Sequence, residues 1–204
     1  MMKRFWIVLA LLVSLLAVPT SSFAQQVHTV QSGDTLWKIA VRYQVGLSEI
    51  IGANPHFKNP NLIYPGQKVT IPAMRGTTSI EVQVIQLTNQ ERSKNGLKPL
   101  ASNWELSRVA RYKSADMRDK NYFAHNSPTY GDPFQMMKSF GITYRRAAEN
   151  IAAGQRTPQE VVQAWMNSPG HRKNILDPNL TQIGVGYVKG GSYGHYWTQM
   201  FITK

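Results

Sequence analysis

The chain has 204 residues, which is enough for one ordinary domain or two small ones. Its 23 Lys and Arg residues outnumber its 11 Asp and Glu residues, and its 42% hydrophobic content argues against a disordered or collagen-like chain. Cysteine is absent, which excludes disulfides, thiolate metal sites and a cysteine nucleophile.

Residues 1–24 have the pattern of a secretory signal peptide. Lys3 and Arg4 precede an apolar run, and the segment ends in a small-x-small sequence before Gln25. The run is shorter than the ~20 residues that a membrane-spanning helix needs, so we expect cleavage and no membrane span in the mature chain. An uncleaved N-terminal anchor is the alternative. The sequence therefore predicts a secreted protein that starts at Gln25.

The basic residues are scattered along the chain, and they form no run longer than a pair such as Arg145-Arg146. A formal net charge of +12 attracts an exported protein to anionic wall polymers or lipid head groups. No basic stripe with interleaved aromatic residues and no recognition helix is evident. We therefore expect anionic wall polymers as partners, and no nucleic acid.

Residues 25–73 are predicted to form a small β-α-α-β unit. A short strand at 27–30 precedes a helix with apolar residues at helical spacing, which Asp34 or Thr35 can cap. Ser48 can cap a second helix, and an alternating run then predicts a closing strand.

This first unit resembles a LysM module over its whole length, through residues 28–40, the Asn54-Pro55 pair and residues 62–72. The resemblance implies binding of N-acetylglucosamine-containing glycans, peptidoglycan or chitin, in a shallow groove between two loops. The positions that match these loops are Gly33, Asp34, Thr35, Leu36, Leu62, Ile63 and Tyr64. A single copy should bind weakly, because linked copies gain affinity by effective concentration.

The residue types in the two loops suit a sugar. Oxygens of Asp34 and Thr35 can pair with acetamido and hydroxyl groups, while apolar side chains cover the sugar's methyl and ring faces. The alternative is structural: Asp34 and Thr35 only cap the helix, and Tyr64 is a core residue. Capping does not exclude contact with a ligand.

A polar linker at 74–79 precedes the second predicted unit, residues 80–204. Its first part has helix patterns, including a capping box that starts at Ser102. Asp132 and Thr157 are each predicted to cap a helix that starts with a proline, and Thr157 also opens a second capping box with Glu160. Its last part alternates with period two on both sides of Gly190-Gly191, which predicts a β-hairpin. The class is therefore α+β, with helices layered on a late antiparallel sheet.

Three polar residues of the second unit are candidates for chemistry. His125 follows a long helix, Glu149 lies in a run of small apolar residues, and His171 opens a short helix. Two imidazoles and a carboxylate suit zinc with water as fourth ligand, and equally suit general acid–base catalysis. Their separations match no local metal motif, so hydrogen-bonded structural roles are the alternative.

The second unit as a whole resembles a CAP (SCP-like) domain, of the cysteine-rich secretory, antigen 5 and pathogenesis-related 1 superfamily. The resemblance is carried by residues 121–128, 149–152, 164–176, 183–186 and 196–201. It is strongest to secreted bacterial members, including those of sporulating bacilli. It implies an α-β-α sandwich whose central cleft gathers His and Glu side chains and, in some members, holds a divalent metal such as Zn²⁺.

Carried over by position, His125 and Glu149 match the family's first cleft histidine and the Glu of its Glu-Asn-Ile/Leu-Ala motif, and His171 matches the bacterial Gly-His-Arg motif. Ser168 stands where the animal and plant members have a second Glu. Tyr196 stands where they have a second His, with His195 one residue earlier. The four-residue cleft is therefore incomplete, and His171 is the expected substitute.

Three functions follow as hypotheses. The first is a secreted, cell-wall-associated protein whose LysM module docks on peptidoglycan and whose cleft binds a ligand, metal or partner. The second is a hydrolase in which His125, Glu149 and His171 activate water, alone or on a metal. The third is a structural protein of the spore envelope. No serine nucleophile with a positioned partner, glycosidase carboxylate pair or zincin helix is evident, which leaves catalysis open.

Overall fold

The computed structural model describes residues 26–72 and 78–204. The predicted signal peptide at 1–24 and positions 74–77 of the predicted linker lie outside these ranges. Among the described residues, no helix has both the length and the apolar character needed to cross a membrane.

The first unit has the predicted β-α-α-β order. Strand β1 (Gln26–Thr29) is followed by helices α1 (Leu36–Tyr43) and α2 (Leu47–Ala53), and strand β2 (Lys68–Ile71) closes the unit antiparallel to β1. The helices pack on this two-stranded sheet through one small core. Its members are Val30, Leu36, Ile39, Ala40, Val45, Ile50, Val69 and Ile71.

The two helices of this unit begin in different ways. Thr35 caps α1, since its hydroxyl oxygen accepts from the Lys38 N–H at 3.1 Å. The predicted Ser48 cap of α2 is wrong. Helix α2 begins directly after Gly46, so Ser48 already lies in the first turn, where its hydroxyl donates to Glu49.

The described part of the second unit contains five helices and four strands, of which the strand at Ala101–Ser102 is very short. In chain order they are α3 (Ser79–Lys94), β3 (Ala101–Ser102), α4 (Trp104–Asp119), α5 (Pro133–Ser139), β4 (Arg146–Ala153), α6 (Pro158–Asn167), α7 (Pro169–Ile175), β5 (Gln182–Lys189) and β6 (His195–Thr203). The sheet order is β3-β5-β6-β4. The predicted hairpin is the β5–β6 pair, and β4 lies antiparallel on the other side of β6.

Helices cover both faces of this sheet. Along β6, Trp197 and Phe201 pack with residues of α3 and α6, whereas Met200 and Ile202 pack with residues of α4 and α5. Alternation along a strand sends successive side chains to opposite faces, so one strand contributes to both cores. The architecture is the expected α-β-α sandwich.

Helix α4 lies directly on the backbone of β5. A Cβ atom at Gly184 would lie 2.3 Å from the carbonyl carbon of Leu106, and one at Gly186 would lie 2.2 Å from that of Ala110. Any side chain at either glycine would push the helix away. The two glycines therefore set the distance between α4, which carries much of the site described below, and the sheet.

Two predicted start signals in this unit are shifted. Ser102 does not open the capping box of α4, because it pairs with Ile183 in β3; Asn103 caps the helix instead, accepting from the Leu106 N–H at 3.0 Å. Thr78 caps α3 and Ser79 is its first residue, although the sequence assigned both to the linker.

The start of α6 is predicted in part. Thr157 is its N-cap and Pro158 its first residue, as expected. The predicted capping box does not close, however, since the Glu160 carboxylate accepts from the Arg156 N–H at 2.8 Å rather than from Thr157.

Candidate functional site

Asp34, in the first predicted glycan-binding loop, is held by its own neighbours. Its Oδ2 atom lies 2.8 Å from His28 Nε2 and accepts from the Gln31 N–H at 2.9 Å, while Oδ1 accepts from Arg42 at 3.2 Å. The Gln31 N–H and then His28 lower the pKa of Asp34 to about 2. With 5% of its side chain exposed, this carboxylate shapes the loop and has little surface left for a sugar.

The other residues of the first loop divide into exposed and buried positions. Gly33 and Thr35 are exposed, and Gly33 has a left-handed backbone (φ 83°) that favours glycine. Leu36 is 2% exposed and packs in the core. Its side chain therefore cannot cover a sugar ring, and any glycan contact at this position is left to its backbone.

The second predicted loop presents two large apolar side chains to solvent. Leu62 is 52% and Tyr64 is 56% exposed, whereas Ile63 packs partly against the core. The loop is held in shape because the Tyr64 N–H donates to Gln67 Oε1 at 2.7 Å. Tyr64 is thus a surface residue, so the alternative that placed it in the core is wrong.

Trp37 is a further exposed aromatic residue that the sequence reasoning missed. It follows the first loop on α1 and is 59% exposed. The signal was available: the buried stripe of α1 runs through Leu36, Ile39 and Ala40, and Trp37 lies off that stripe. An exposed tryptophan beside a predicted glycan-binding loop is a candidate contact.

In the second unit, the structure brings His125 and Glu149 together. His125 lies in the segment between α4 and α5, and Glu149 lies on β4 opposite Met200, on the face covered by α4. His125 Nδ1 is 2.7 Å from Glu149 Oε1. The Glu149 side chain is 2% exposed, whereas that of His125 is 52% exposed. The carboxylate is thus the buried member of the pair and the imidazole faces solvent.

The segment carrying His125 is held by Lys113 of α4. The Lys113 ammonium donates to the carbonyls of Ala124 at 2.8 Å and His125 at 2.6 Å, and to the Tyr122 hydroxyl at 3.1 Å. Lys113 is fully buried, and this burial lowers its pKa. A lysine on the apolar stripe of a helix is therefore a structural cation that fixes the backbone at His125.

Asp116, one turn further along α4, holds the same segment through hydroxyl groups. Its carboxylate accepts at 2.6 Å from each of Tyr122, Ser127 and Thr129. Burial alone raises the pKa of Asp116, but these hydrogen bonds lower it below its ordinary value. Lys113 and Asp116 lie three residues apart and therefore on one face of α4. Together they hold the segment by hydrogen bonds before, at and after His125.

Glu149 is an incompletely satisfied carboxyl group. Burial raises its pKa, against the opposing effects of the His125 hydrogen bond and the Lys113 charge. Among the described residues its Oε2 atom is buried and has no hydrogen-bond partner. A carboxyl group in this state holds a proton at higher pH than an ordinary glutamate.

His171 lies in the first turn of α7, which is pinned to β4 by amide groups. Asn150 donates to the His171 carbonyl at 3.2 Å, and Asn174 donates to the Glu149 carbonyl at 3.3 Å. Burial and then the charge of His125 lower the pKa of His171. In the described part of the chain, the His171 ring makes no hydrogen bond with His125 or Glu149.

A series of buried hydrogen bonds connects the Asn150 side chain to helix α3. Asn150 donates to Gln199 Oε1 at 3.0 Å, and Gln199 donates to the Thr88 hydroxyl at 2.7 Å. All three residues are buried. The series crosses from β4 to α3, and none of these contacts was predicted from the sequence.

The His125–Glu149 pair lies in an open cleft of about 440 Å³. Its polar lining comes from His125, Asn126, Asp132, Glu149 and Asn174, and its apolar lining from Pro133, Phe134, Ala147 and Ala148. Phe134 is 45% exposed and forms an apolar wall. A cleft of this size and mixed lining suits a small ligand or a short segment of a polymer.

The predicted zinc site would take three protein ligands from this cleft. Within residues 26–72 and 78–204, no three His, Cys, Asp or Glu side chains are arranged to hold a metal ion. Nδ1 of His125 is occupied by Glu149, and the positive charge of Lys113 acts on the same carboxylate. The arrangement does not fit a zinc ion with three protein ligands, and a metal stays a prediction from the sequence.

The positions that depart from the family pattern do not complete the cleft. His195 Nδ1 lies 2.8 Å from the Tyr187 hydroxyl, and alternation along β6 places His195 on the same face as Trp197, away from Glu149. Tyr196 is buried beside Met117. Its ring therefore fills the core and leaves His195 outside the cleft.

Comparison with known families matches both units. The model of the CAP family, described as the cysteine-rich secretory protein family, matches residues 85–201. The LysM domain model matches residues 28–72.

Among curated proteins, the chain is 63% identical over 135 residues to the uncharacterized protein YkwD of Bacillus subtilis (strain 168), covering 66% of this chain and 51% of that protein. It is 46% identical over 48 residues to the spore coat assembly protein ExsA of Bacillus cereus, covering 24% of this chain and 8% of that protein. The chain thus spans about half the length of the first relative and much less of the second.

Among solved structures, the fold is similar to an extracellular protein containing a SCP domain from Bacillus anthracis str. Ames. The TM-score is 0.57 at 36% sequence identity, and the match covers 69% of this chain and 47% of that chain.

Proposed function

The chain belongs to the cysteine-rich secretory protein (CAP) family, and on that premise we propose that its LysM module binds peptidoglycan while its CAP cleft binds a ligand without turnover. The combination of LysM and CAP domains supports an extracellular protein associated with the cell wall.

Binding of peptidoglycan by the LysM module is supported by the surface of its two loops. Leu62 and Tyr64 are exposed on a turn of fixed shape, and Gly33 and Thr35 are exposed on the first loop. Exposed apolar side chains beside the polar atoms of a loop suit the methyl and amide groups of N-acetylated sugars. Outside the predicted signal peptide, 21 Lys and Arg residues stand against 11 Asp and Glu residues, and this excess adds attraction to anionic wall polymers.

Binding of a ligand by the CAP cleft rests on one observation: a buried carboxylate holds a half-exposed imidazole in an open cleft. Glu149 occupies Nδ1 of His125, which leaves Nε2 available to a ligand. The apolar wall at Phe134 lies beside these polar groups. A ligand with both amide and apolar parts, such as a wall peptide or an acylated amino sugar, fits this lining.

Sedimentation with insoluble peptidoglycan tests the LysM assignment. The double variant Leu62→Ala/Tyr64→Ala should lose most of the pelleted fraction, since it removes the two exposed apolar side chains. Tyr193→Ala is the matched control, because this tyrosine of the CAP domain is 51% exposed and lies outside the LysM module. If the double variant pellets like the control, the LysM loops do not bind the wall.

A hydrolase is the second candidate, favoured by the same imidazole. A carboxylate-oriented histidine is a suitable general base for water, with His171 as a further proton-transferring group. Against it, no serine or threonine hydroxyl of the described residues is bonded to His125; the nearby Ser127 hydroxyl donates to Asp116. A hydrolase of this kind would therefore use water, activated by His125, as its nucleophile.

Muropeptide analysis after incubation with purified peptidoglycan distinguishes the two candidates. A binding protein releases no new products. The opposite outcome is that the unmodified chain releases products that neither His125→Ala nor Glu149→Gln releases. In that case the protein is a hydrolase and the binding-only proposal is wrong.

The spore envelope is the location we propose within the wall-associated class. It is supported by the similarity of a 48-residue stretch to a protein named for spore coat assembly. Immunogold labelling of sporulating and vegetative cells tests it. Label confined to the vegetative wall would contradict it.

A further inference from the structure

The two domains meet at a buried ion pair that neither predicted binding site uses. Arg108 of α4 donates to Glu49 Oε1 of α2 at 2.7 Å, and the Tyr112 hydroxyl donates to the same oxygen at 2.5 Å. The side chains of Glu49 and Arg108 are only 10% and 12% exposed. This contact is far better shielded from water than a typical surface salt bridge.

The protonation states suit such a contact at neutral pH. Burial alone raises the pKa of Glu49, but hydrogen bonds from Tyr112, Ser48 and Arg108 lower it overall. Burial and the contact with Glu49 raise the pKa of Tyr112, which keeps its hydroxyl proton for donation. The carboxylate is therefore charged and faces two strong donors.

The CAP domain holds both donors in place. The Tyr112 and Phe140 ring centroids are 5.1 Å apart, and the Arg108 guanidinium carbon lies 5.3 Å from the Phe140 ring centroid. The Tyr130 ring packs edge-on against Phe140, with ring centroids 5.5 Å apart. The two donors that bind Glu49 are thus held by packing within the CAP domain. This reduces the conformational entropy that their side chains lose when the LysM module docks.

The observed contact leaves no space for a side chain at Gly46. A Cβ atom there would lie 1.8 Å from Glu49 Oε2 and 2.2 Å from Arg108 Nη1. The Gly46 backbone (φ −72°, ψ 149°) is one that any residue adopts. A side chain here would displace the ends of Glu49 and Arg108 from their observed contact, whereas the backbone conformation itself would accept one.

We infer that Glu49, Arg108 and Tyr112 form a latch that holds the LysM module against α4, so that the two domains move as one body. The latch leaves the second glycan-binding loop open, since Leu62 and Tyr64 remain 52% and 56% exposed. A wall-bound LysM module would then present the CAP cleft in a fixed orientation relative to the wall.

Distance measurements between two spin labels test the latch. Because the chain has no cysteine, Lys58→Cys in the LysM module and Lys98→Cys in the CAP domain give two specific attachment sites, both exposed. The unmodified latch should give one narrow distance distribution. Gly46→Ala and, separately, Arg108→Ala should widen it at least about twofold, as expected when no contact fixes the two domains relative to each other.

A matched control removes an ion pair elsewhere. Glu91→Gln breaks the exposed contact with Lys94 on α3 and should leave the distribution narrow. Gly46→Ala keeps every charge, so it remains informative if Arg108→Ala fails to fold. A distribution that is already broad with the latch intact, or that keeps its width in Gly46→Ala, would overturn the inference.

Peptidoglycan pelleting separates the latch from the proposed glycan binding. Gly46→Ala should pellet as the unmodified chain does while its distance distribution broadens. Loss of pelleting in Gly46→Ala would instead show that the contact supports the LysM fold itself, and it would contradict an independent latch.

Discussion

The two domains each contain a carboxylate paired with a histidine, and the two pairs behave in opposite ways. His28 and Asp34 in the LysM module are 2.8 Å apart, and His125 and Glu149 in the CAP domain are 2.7 Å apart. Yet the pKa of Asp34 is lowered to about 2, whereas that of Glu149 is raised.

The difference lies in what else each carboxylate receives. Asp34 accepts from a backbone N–H and from Arg42 in addition to His28, so its charged form is well solvated by the protein. Glu149 is buried with one oxygen paired and the other without a partner among the described residues. The same pair of residue types is therefore a structural clamp in one domain and the buried support of an exposed imidazole in the other.

The largest effect is expected from Lys113→Met, which attacks the support of the CAP pair. The variant leaves the carbonyls of Ala124 and His125 without the donor that the Lys113 ammonium provides. The free energy of unfolding should fall by about 3 kcal/mol, measured by chemical denaturation. Lys98→Met, at an exposed lysine, is the control. A loss below about 1 kcal/mol would show that Lys113 does not hold this segment.

Asp34→Asn tests the LysM pair and should have an intermediate effect. Since folding lowers the pKa of Asp34 from 3.8 to about 2, its carboxylate stabilises the module above pH 4, and this contribution is lost as the pH falls from about 4 to about 2. The variant should melt several degrees lower than the unmodified chain at pH 7, and the difference should vanish near pH 2. A difference that is independent of pH would contradict the clamp.

Glu149→Gln should have the smallest effect and the opposite sign. Folding raises the pKa of Glu149, so its charged form opposes folding at pH 7 and protonation favours it as the pH falls. An uncharged amide of the same shape should leave the free energy of unfolding unchanged or raise it by up to about 1 kcal/mol. A marked loss in denaturation experiments at pH 7 would show that the charged carboxylate is needed for stability.

Much of the fold could be predicted because its signals are local. Thr35, Asp132 and Thr157 cap helices as the sequence indicates, and the alternation on both sides of Gly190-Gly191 is the β5–β6 hairpin. Strand β4 was not predicted, since its sequence of small and polar residues has no period of two. Pairing with β6 over eight residues makes it a strand, and that is a tertiary effect.

The candidate site could be predicted only in part. The CAP resemblance brought His125 and Glu149 together correctly, but nothing in the sequence shows that Lys113 supports them. Lys113 lies on the buried stripe of α4, and its acceptors are main-chain carbonyls of a segment whose conformation depends on the packed domain. The latch at Glu49 joins residues 59 positions apart and is equally invisible to local patterns.

Histidine-selective NMR of the mature chain, titrated with purified muropeptides, tests the central claim most directly. Ring signals of His28, beside the LysM loop, and of His125, in the cleft, should both shift, while His195, bonded to Tyr187 on the other face of the sheet, should not. A shift of His28 alone, with His125 unchanged at saturation, would show that the CAP cleft does not bind these ligands.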